Sequence, residues 1–219
     1  HELSLSEGVQ VRRLALGREH AILLSFTGQV LTWGSGRHGQ LGHGGLEMEN
    51  KARLVEALHG LPILQVAAGG WHSLALSCKS LLPAVPVRRL APEPVRVACE
   101  TCDALLRDLE PRGFISIQAL PALLDFPHGE DIATIACGSR HSVAITKCGK
   151  LYTWGWGAYG QLGLGDRRSH DEPHFVSFLQ EQGLRPCAVT CGSWATFVHV
   201  DNSKTSASDM VSPMQDGCL

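Results

Sequence analysis

The chain repeats itself. Residues 17–44 laid over residues 138–165, an offset of 121, coincide at 12 of 28 positions without a gap. Gly17 meets Gly138, His20 meets His141 and Gly28 meets Gly149. Thr32-Trp33-Gly34 meets Thr153-Trp154-Gly155, and Gly36 meets Gly157. Gly39-Gln40-Leu41-Gly42 meets Gly160-Gln161-Leu162-Gly163, and Gly44 meets Gly165. Two more copies of the opening half exist, Gly69-Gly70-Trp71-His72 and Gly192-Ser193-Trp194-Ala195, the second with Ala195 in the histidine slot. The opening glycines 17, 69, 138 and 192 are 52, 69 and 54 residues apart. Each copy must fold into one unit and bury its apolar face against the next. A period near 50 residues belongs to propeller blades, not to short helical repeats.

The residues inside each copy predict strands. His20 is followed by Ala-Ile-Leu-Leu-Ser, a turn at Thr27-Gly28, and Gln-Val-Leu-Thr-Trp. His141 is followed by Ser-Val-Ala-Ile-Thr, a turn at Cys148-Gly149, and Lys-Leu-Tyr-Thr-Trp. Two β-rich runs joined at a glycine form a hairpin. Glycines 34, 36, 39 and 42 mark a second bend, where backbone must approach backbone closely. Helical signals are weak, the best being Leu105–Leu109. The expected fold is all-β, a partial propeller whose ring is incomplete and carries an irregular insertion.

The bend residues identify a family. Trp33-Gly-Ser-Gly-Arg-His-Gly-Gln-Leu-Gly42 and Trp154-Gly-Trp-Gly-Ala-Tyr-Gly-Gln-Leu-Gly163 resemble the regulator of chromosome condensation repeat, and so does each Gly-x-x-His opening. The resemblance covers about residues 11–77 and 120–200. Arg37–His43, Ala68–Ser73, Pro121–Asp125 and Leu151–Gly157 are similar to one small nuclear member of that family. That narrower resemblance implies a seven-bladed ring in the whole protein. It also implies a nuclear, chromosome-associated adaptor for a JmjC-domain oxygenase, a histone demethylase or hydroxylase, with histones as further contacts. Roles in histone methylation control and chromosome segregation are implied with it.

The second copy departs from the pattern. Thirteen residues separate His20 from Trp33, and His141 from Trp154, but Val85 stands thirteen past His72. Prolines 83, 86, 92, 94 and 111 follow instead. Proline removes ladder donors, so no central strand is expected there. The division is therefore 1–77 first blades, 78–119 irregular insertion, 120–200 second blades and 201–219 polar, disordered tail. Residues 78–113 are either a loop insertion between blades, or an alternative exon or erroneous gene model that displaces blade strands. Four openings cannot close seven blades, and the chain begins with His1, so a fragment of a longer protein is expected. Open strand edges would then invite pairing.

Composition excludes some functions. Net charge is −2 and pI about 6.6, whereas a nucleic-acid binder commonly carries a basic stripe. Direct sequence-specific binding to nucleic acid is not expected. No apolar run reaches the roughly 18 residues of a membrane helix. The eight cysteines lack a compact framework and read as reduced thiols of an intracellular protein. Cys99-x-x-Cys102 lacks a second ligand pair for zinc. His170 and His174 with Cys187 and Cys191 look like a ligand set, but Cys191 fills the small-residue slot of Leu16, Ala68 and Cys137. No nucleophile elbow or phosphate loop occurs. No catalytic residue, metal or cofactor is expected, and the chain reads as a non-enzymatic interaction protein.

Three kinds of residue remain. Histidines 20, 72 and 141 read as structural groups hydrogen-bonded to backbone. Trp33 and Trp154 read as wedges between blades. The second x of Gly-x-x-His faces the mouth of the ring in the resembled family. Members that exchange nucleotide on the Ran GTPase often carry acidic or histidine side chains there. Here it holds Glu19, Trp71, Arg140 and Trp194. One acid with two tryptophans and an arginine suits a protein hot spot. That makes the Ran GTPase the less favoured partner. Arg37, Arg167 and Arg168 in the bends read as solvated loop charges that could reach an acidic surface.

Overall fold

The computed structural model describes residues 9–77, 96–99 and 118–201. The predicted helix at Leu105–Leu109, the tail beyond Asp201 and Cys102 lie outside the described residues. The chain forms successive antiparallel sheets. The first holds β1 (Val11–Leu16), β2 (His20–Ser25), β3 (Val30–Gly34) and β4 (Glu49–Leu54). The second holds β5 (Ile63–Ala68), β6 (Ser73–Ser77), β7 (Arg96–Cys99) and β8 (Ala122–Asp125). The third holds β9 (Ile132–Cys137), β10 (His141–Thr146), β11 (Leu151–Gly155) and β12 (His170–Phe175). A fourth pairs β13 (Arg185–Cys191) with β14 (Thr196–Asp201), after the short helix α1 (Ser177–Glu181). In each sheet the strands lie in chain order, the meander expected of propeller blades.

Strand alternation decides how the sheets stack, because successive side chains leave a strand on opposite faces. Ile22 and Leu24 of β2 pack with Val66 of β5 and Ala75 of β6. Leu74 and Leu76, the alternate residues of β6, pack with Ile135, Ala144 and Trp154 of the third sheet. Val143, Ile145 and Leu151 turn to Val189 and Val198 of the fourth. The inner strands β6 and β10 thus join the sheet before them with one set of residues and the sheet after them with the other. Each sheet interface has its own core, as the repeat requires.

Trp154 is the wedge the sequence suggested. It is fully buried between the second and third sheets, edge-on to Phe126 at 5.8 Å. Trp33 fills the equivalent slot of the first sheet, which no described sheet precedes, and is only half-buried. A polar clasp lies at the same interface as Trp154. The Gln65 side-chain amide donates to the carbonyl of Ile135 (3.1 Å) and accepts from its N–H (3.3 Å).

The expectation that no central strand arises between 78 and 119 is corrected. β7 sits between β6 and β8, with Leu74 opposite Cys99 and Leu76 opposite Val97. Cys99 opposite Leu74 takes the position that Thr32 takes opposite Ile22. The prolines flank this stretch without entering it. Arg96-Val-Ala-Cys99 keeps every N–H, so the third strand of the blade forms after a longer connection instead of being lost.

Candidate functional site: the aromatic and arginine cluster at the blade openings

The Gly-x-x-His turns are built by close approach between sheets. A Cβ on Gly17, Gly69 or Gly138 would press into the ring of the histidine three residues on. It would also lie 2.5, 2.5 and 2.8 Å from the carbonyl oxygens of Gly69, Gly138 and Gly192. Only glycine leaves that room. The same turns are stitched together through backbone. Arg18 N–H donates to Gly69 O (3.3 Å), Gly70 N–H to Gly138 O (3.1 Å) and Ser139 N–H to Ser193 O (3.1 Å).

The histidines continue this stitching. Beside the backbone contacts that His20 makes with His72 and His141 with Ala195, each ring reaches a hydroxyl of the next sheet that the sequence reading did not name. His20 Nε2 lies 2.9 Å from Ser73 Oγ, His72 Nε2 2.7 Å from Ser142 Oγ and His141 Nε2 3.0 Å from Thr196 Oγ1. Ser73 and Thr196 already donate their protons to the carbonyls of Gln40 and Gln161. The histidine must therefore be the donor, which assigns the Nε2–H tautomer to His20 and His141. Burial first of all pushes the pKa values of His20 and His141 down to about 4, and that of His72 to about 3. For His72, positive charge on His20 or His141 would add to the penalty. All three are neutral at pH 7.

The Gly-Gln-Leu-Gly bends hold the outer wall of the site. Thr32 Oγ1 donates to Leu41 O (2.6 Å), and Thr153 Oγ1 to Leu162 O (2.7 Å). Leu41 and Leu162 plug the bends into the core. The Gln40 and Gln161 side chains accept the N–H groups of His38 and Tyr159 (2.8 and 2.9 Å). Gly39, Gly42, Gly160 and Gly163 all turn at positive φ, where other residues are strained. Gly34 and Gly155 bring each bend against the preceding turn, so that Ser35 N–H donates to Glu19 O and Trp156 N–H to Arg140 O, both at 2.8 Å.

On this frame the side chains at the turns meet. Trp71 is stacked on His38, with ring centroids 4.3 Å apart and planes 9° apart. The Arg140 guanidinium carbon lies 3.5 Å from the centroid of the Trp71 ring and 5.9 Å from that of Trp156. Trp156 then meets Tyr159 (4.8 Å) and Trp194 (5.1 Å) edge to face. The stack crosses all four sheets: His38 from the first, Trp71 from the second, Arg140, Trp156 and Tyr159 from the third, Trp194 from the fourth. Stacking a guanidinium on indole is favourable by about 0.5–2 kcal/mol, more where water is excluded.

Three of the four residues singled out in the sequence, Trp71, Arg140 and Trp194, are thus brought together. Glu19 is exposed on its own turn and no ring contact or ion pair joins it to them. His38, Trp156 and Tyr159 were missed. The repeat could have found them: Trp156 and Tyr159 stand in the slots of Ser35 and His38, variable positions between fixed glycines. Variable slots on a rigid bend are where recognition residues accumulate.

The remaining candidates do not assemble. His170 and His174 meet with ring centroids 4.0 Å apart and planes tilted by 49°, while Cys187 pairs with His199 on the β13–β14 hairpin. Cys191 and Cys137 pack into sheet interfaces, but Leu16 in the same slot is exposed. Among the described residues no three His, Cys, Asp or Glu side chains are placed to hold a metal ion. No described helix is long and apolar enough to cross a membrane.

Comparison with known proteins agrees with this geometry. Models of the regulator of chromosome condensation (RCC1) repeat match residues 27–76 and 148–198, and a second form matches 11–40 and 132–161. The chain belongs to the RCC1 repeat family. RCC1 domain-containing protein 1 of Homo sapiens is 45% identical over 216 residues, covering 89% of this chain. The chain spans 57% of that relative's length. The ultraviolet-B receptor UVR8 of Arabidopsis thaliana is 31% identical over 85% of this chain and 38% of its own. Among solved structures, Prp20p of Saccharomyces cerevisiae, described with its binding to Gsp1p and histones, superposes with a TM-score of 0.66. It is 23% identical, with 86% of this chain and 43% of that one covered, so the likeness establishes the fold alone. The chain is an RCC1-like scaffold built of propeller blades.

Proposed function

We propose that the chain is the recognition part of a nuclear, chromosome-associated adaptor that binds a JmjC-domain oxygenase together with chromatin proteins such as histones. In this reading it catalyses nothing itself. It brings the oxygenase to its place of action and so bears on histone methylation and chromosome segregation. The observation that carries the reading is the stack of Trp71, Arg140, Trp156 and Trp194, exposed in part, at the turns where the sheets converge. Tryptophan, tyrosine and arginine dominate protein–protein hot spots because they offer large rigid area and directed donors. The identity to RCC1 domain-containing protein 1 and the passages Arg37–His43, Ala68–Ser73 and Leu151–Gly157 support this choice of partner.

A second reading has one observation behind it. Prp20p shares the fold and was studied with Gsp1p and histones, which suggests nucleotide exchange on a Ran-type GTPase. Shared fold is a weak guide to shared activity. Glu19 is the single acid among the four equivalent turn positions, so exchange is expected to be absent. The test is a paired binding measurement. The full-length protein carrying this chain is immobilised and offered the JmjC oxygenase and nucleotide-free Ran side by side. Capture of the oxygenase alone, weakened at least tenfold by Trp194→Ala, supports the adaptor. Capture of Ran with accelerated nucleotide release replaces it with the exchange factor.

A further inference from the structure

The stack leaves one functional group unspent. The Arg140 guanidinium carbon sits 3.5 Å from the Trp71 ring centroid, so the group lies over the indole, a contact that uses none of its N–H donors in a hydrogen bond. Among the described residues its buried Nε meets no hydrogen-bond partner and no carboxylate pairs with Arg140. A buried donor without a partner is costly and calls for one. A stacked guanidinium is also held in one orientation, so the ordering entropy that an arginine usually loses on binding is already spent.

The chemistry of the missing partner is narrowed by the neighbours. Both faces of Trp71 are taken, one by His38 and the other by Arg140, so a nucleic-acid base finds no free face there. Trp156, Tyr159 and Trp194 pack against one another edge to face at 4.8–5.6 Å, which leaves no gap for a ligand cation between them. Arg140 is the one full positive charge in the cluster, whereas phosphate sites usually gather several cations or an array of backbone N–H groups. A single planar fork with apolar walls fits a single planar carboxylate.

We propose that this cluster is the docking site for an acidic segment of a protein partner, whose aspartate or glutamate carboxylate is received edge-on by Arg140 between Trp71 and Trp156. The proposal rests on the adaptor reading for its biological setting but not for its chemistry. The partner's apolar atoms next to the carboxylate would rest on Trp194 and Tyr159, which are 45% and 67% exposed. The acid is then drawn from water into a site that already holds its counter-charge. Replacing Arg140 with lysine would keep the charge but lose both the stacked plane and the two parallel donors.

The test is a titration of the full chain with a short Glu-rich peptide, with its Gln-for-Glu counterpart, and with single-stranded DNA. It is followed by tryptophan emission and by the indole N–H signals in NMR. The expected result is saturable binding of the Glu peptide alone, with shifts at the Trp71, Trp156 and Trp194 indoles. Arg140→Ala should weaken it at least tenfold and Arg140→Lys several-fold, while Lys147→Ala, in the exposed turn at the opposite end of β10, should leave it within twofold. Circular dichroism shows whether each variant is folded. If Arg140→Ala unfolds, Arg140→Lys and the Gln peptide on the unaltered chain still decide. Equal binding of the Glu and Gln peptides overturns the proposal, as does tighter binding of DNA or no binding at all. The adaptor reading fails separately, if the Glu peptide binds and the JmjC oxygenase does not.

Discussion

Mild acid should unfold this chain through three histidines. His20, His72 and His141 sit between neighbouring sheets and are held neutral by burial, with pKa values of about 4, 3 and 4. In the unfolded chain each returns to about 6.5. Between those values the unfolded state binds more protons than the folded one, so stability rises with pH. Their contribution is complete above about pH 6.5 and falls as pH drops toward 4. At pH 5 each histidine costs about 2 kcal/mol, the three together about 6, against a typical total stability of about 5–15 kcal/mol. His43 and His170 are also lowered, burial first, and act in the same direction. Urea unfolding at pH 7.5 and pH 5.0 measures the difference, which for a slope of about 2 kcal/mol/M is a midpoint shift of roughly 3 M. His72→Gln sharpens the test. Whatever it costs at pH 7.5 cancels in the comparison, and the acid-induced loss should shrink to about 4 kcal/mol. A loss under about 1 kcal/mol in the unaltered chain, a gain on acidification, or an undiminished loss in His72→Gln would refute the buried-neutral assignment.

Three further outcomes are expected. Trp154→Ala empties the interface between the second and third sheets and should lower stability by about 3–5 kcal/mol in denaturant melts, whereas the half-buried Trp33→Ala should cost clearly less. Gly69→Ala pushes a methyl against the His72 ring and the Gly138 carbonyl, and should cost about 1–3 kcal/mol. Gly45→Ala, with nothing within 4 Å, should be neutral in the same assay. Burial pushes the Cys191 thiol up to about 12. Mass spectrometry after brief alkylation at pH 8 should therefore find Cys191 unmodified in the folded chain, with Cys148 and Cys187 labelled because they are exposed.

The regular parts of the fold were written plainly in the sequence. Glycine at a positive-φ turn has few substitutes, and neither has glycine beneath a histidine ring, so Gly17, Gly28, Gly34 and their copies could be read directly. The β-rich runs from His20 to Ser25 and from His141 to Thr146, each joined to the next run at a glycine, marked the hairpins in the same way. β7 was harder to see. A four-residue strand carries little periodicity of its own, and Arg96–Cys99 is placed by pairing with β6 and β8, not by local preference. The histidine partners were hidden for a related reason. Ser73, Ser142 and Thr196 each follow the histidine slot of the next copy, so the bond appears only once two copies are stacked.

The binding cluster shows how a fixed repeat acquires an individual function. The same turn that must place a histidine into the next sheet also projects the residue before it toward the convergence of the sheets. The first of these positions is bound by packing and the second is free to vary. His20, His72 and His141 are therefore alike, whereas Glu19, Trp71, Arg140 and Trp194 differ. The bend after β11 offers two more free positions, and here they became Trp156 and Tyr159. Arg140 can lie flat on Trp71 because Gly70 packs directly on Ser139 and draws the two turns together. A side chain at Gly70 would meet Ser139 backbone atoms at 2.9 Å and push those turns apart. Gly70→Ala should thus loosen the cation–π contact without touching either partner. The readout is the Trp71 indole shift, and an unchanged shift in a folded variant would mean that the stack is held by its own attraction and not by the turns.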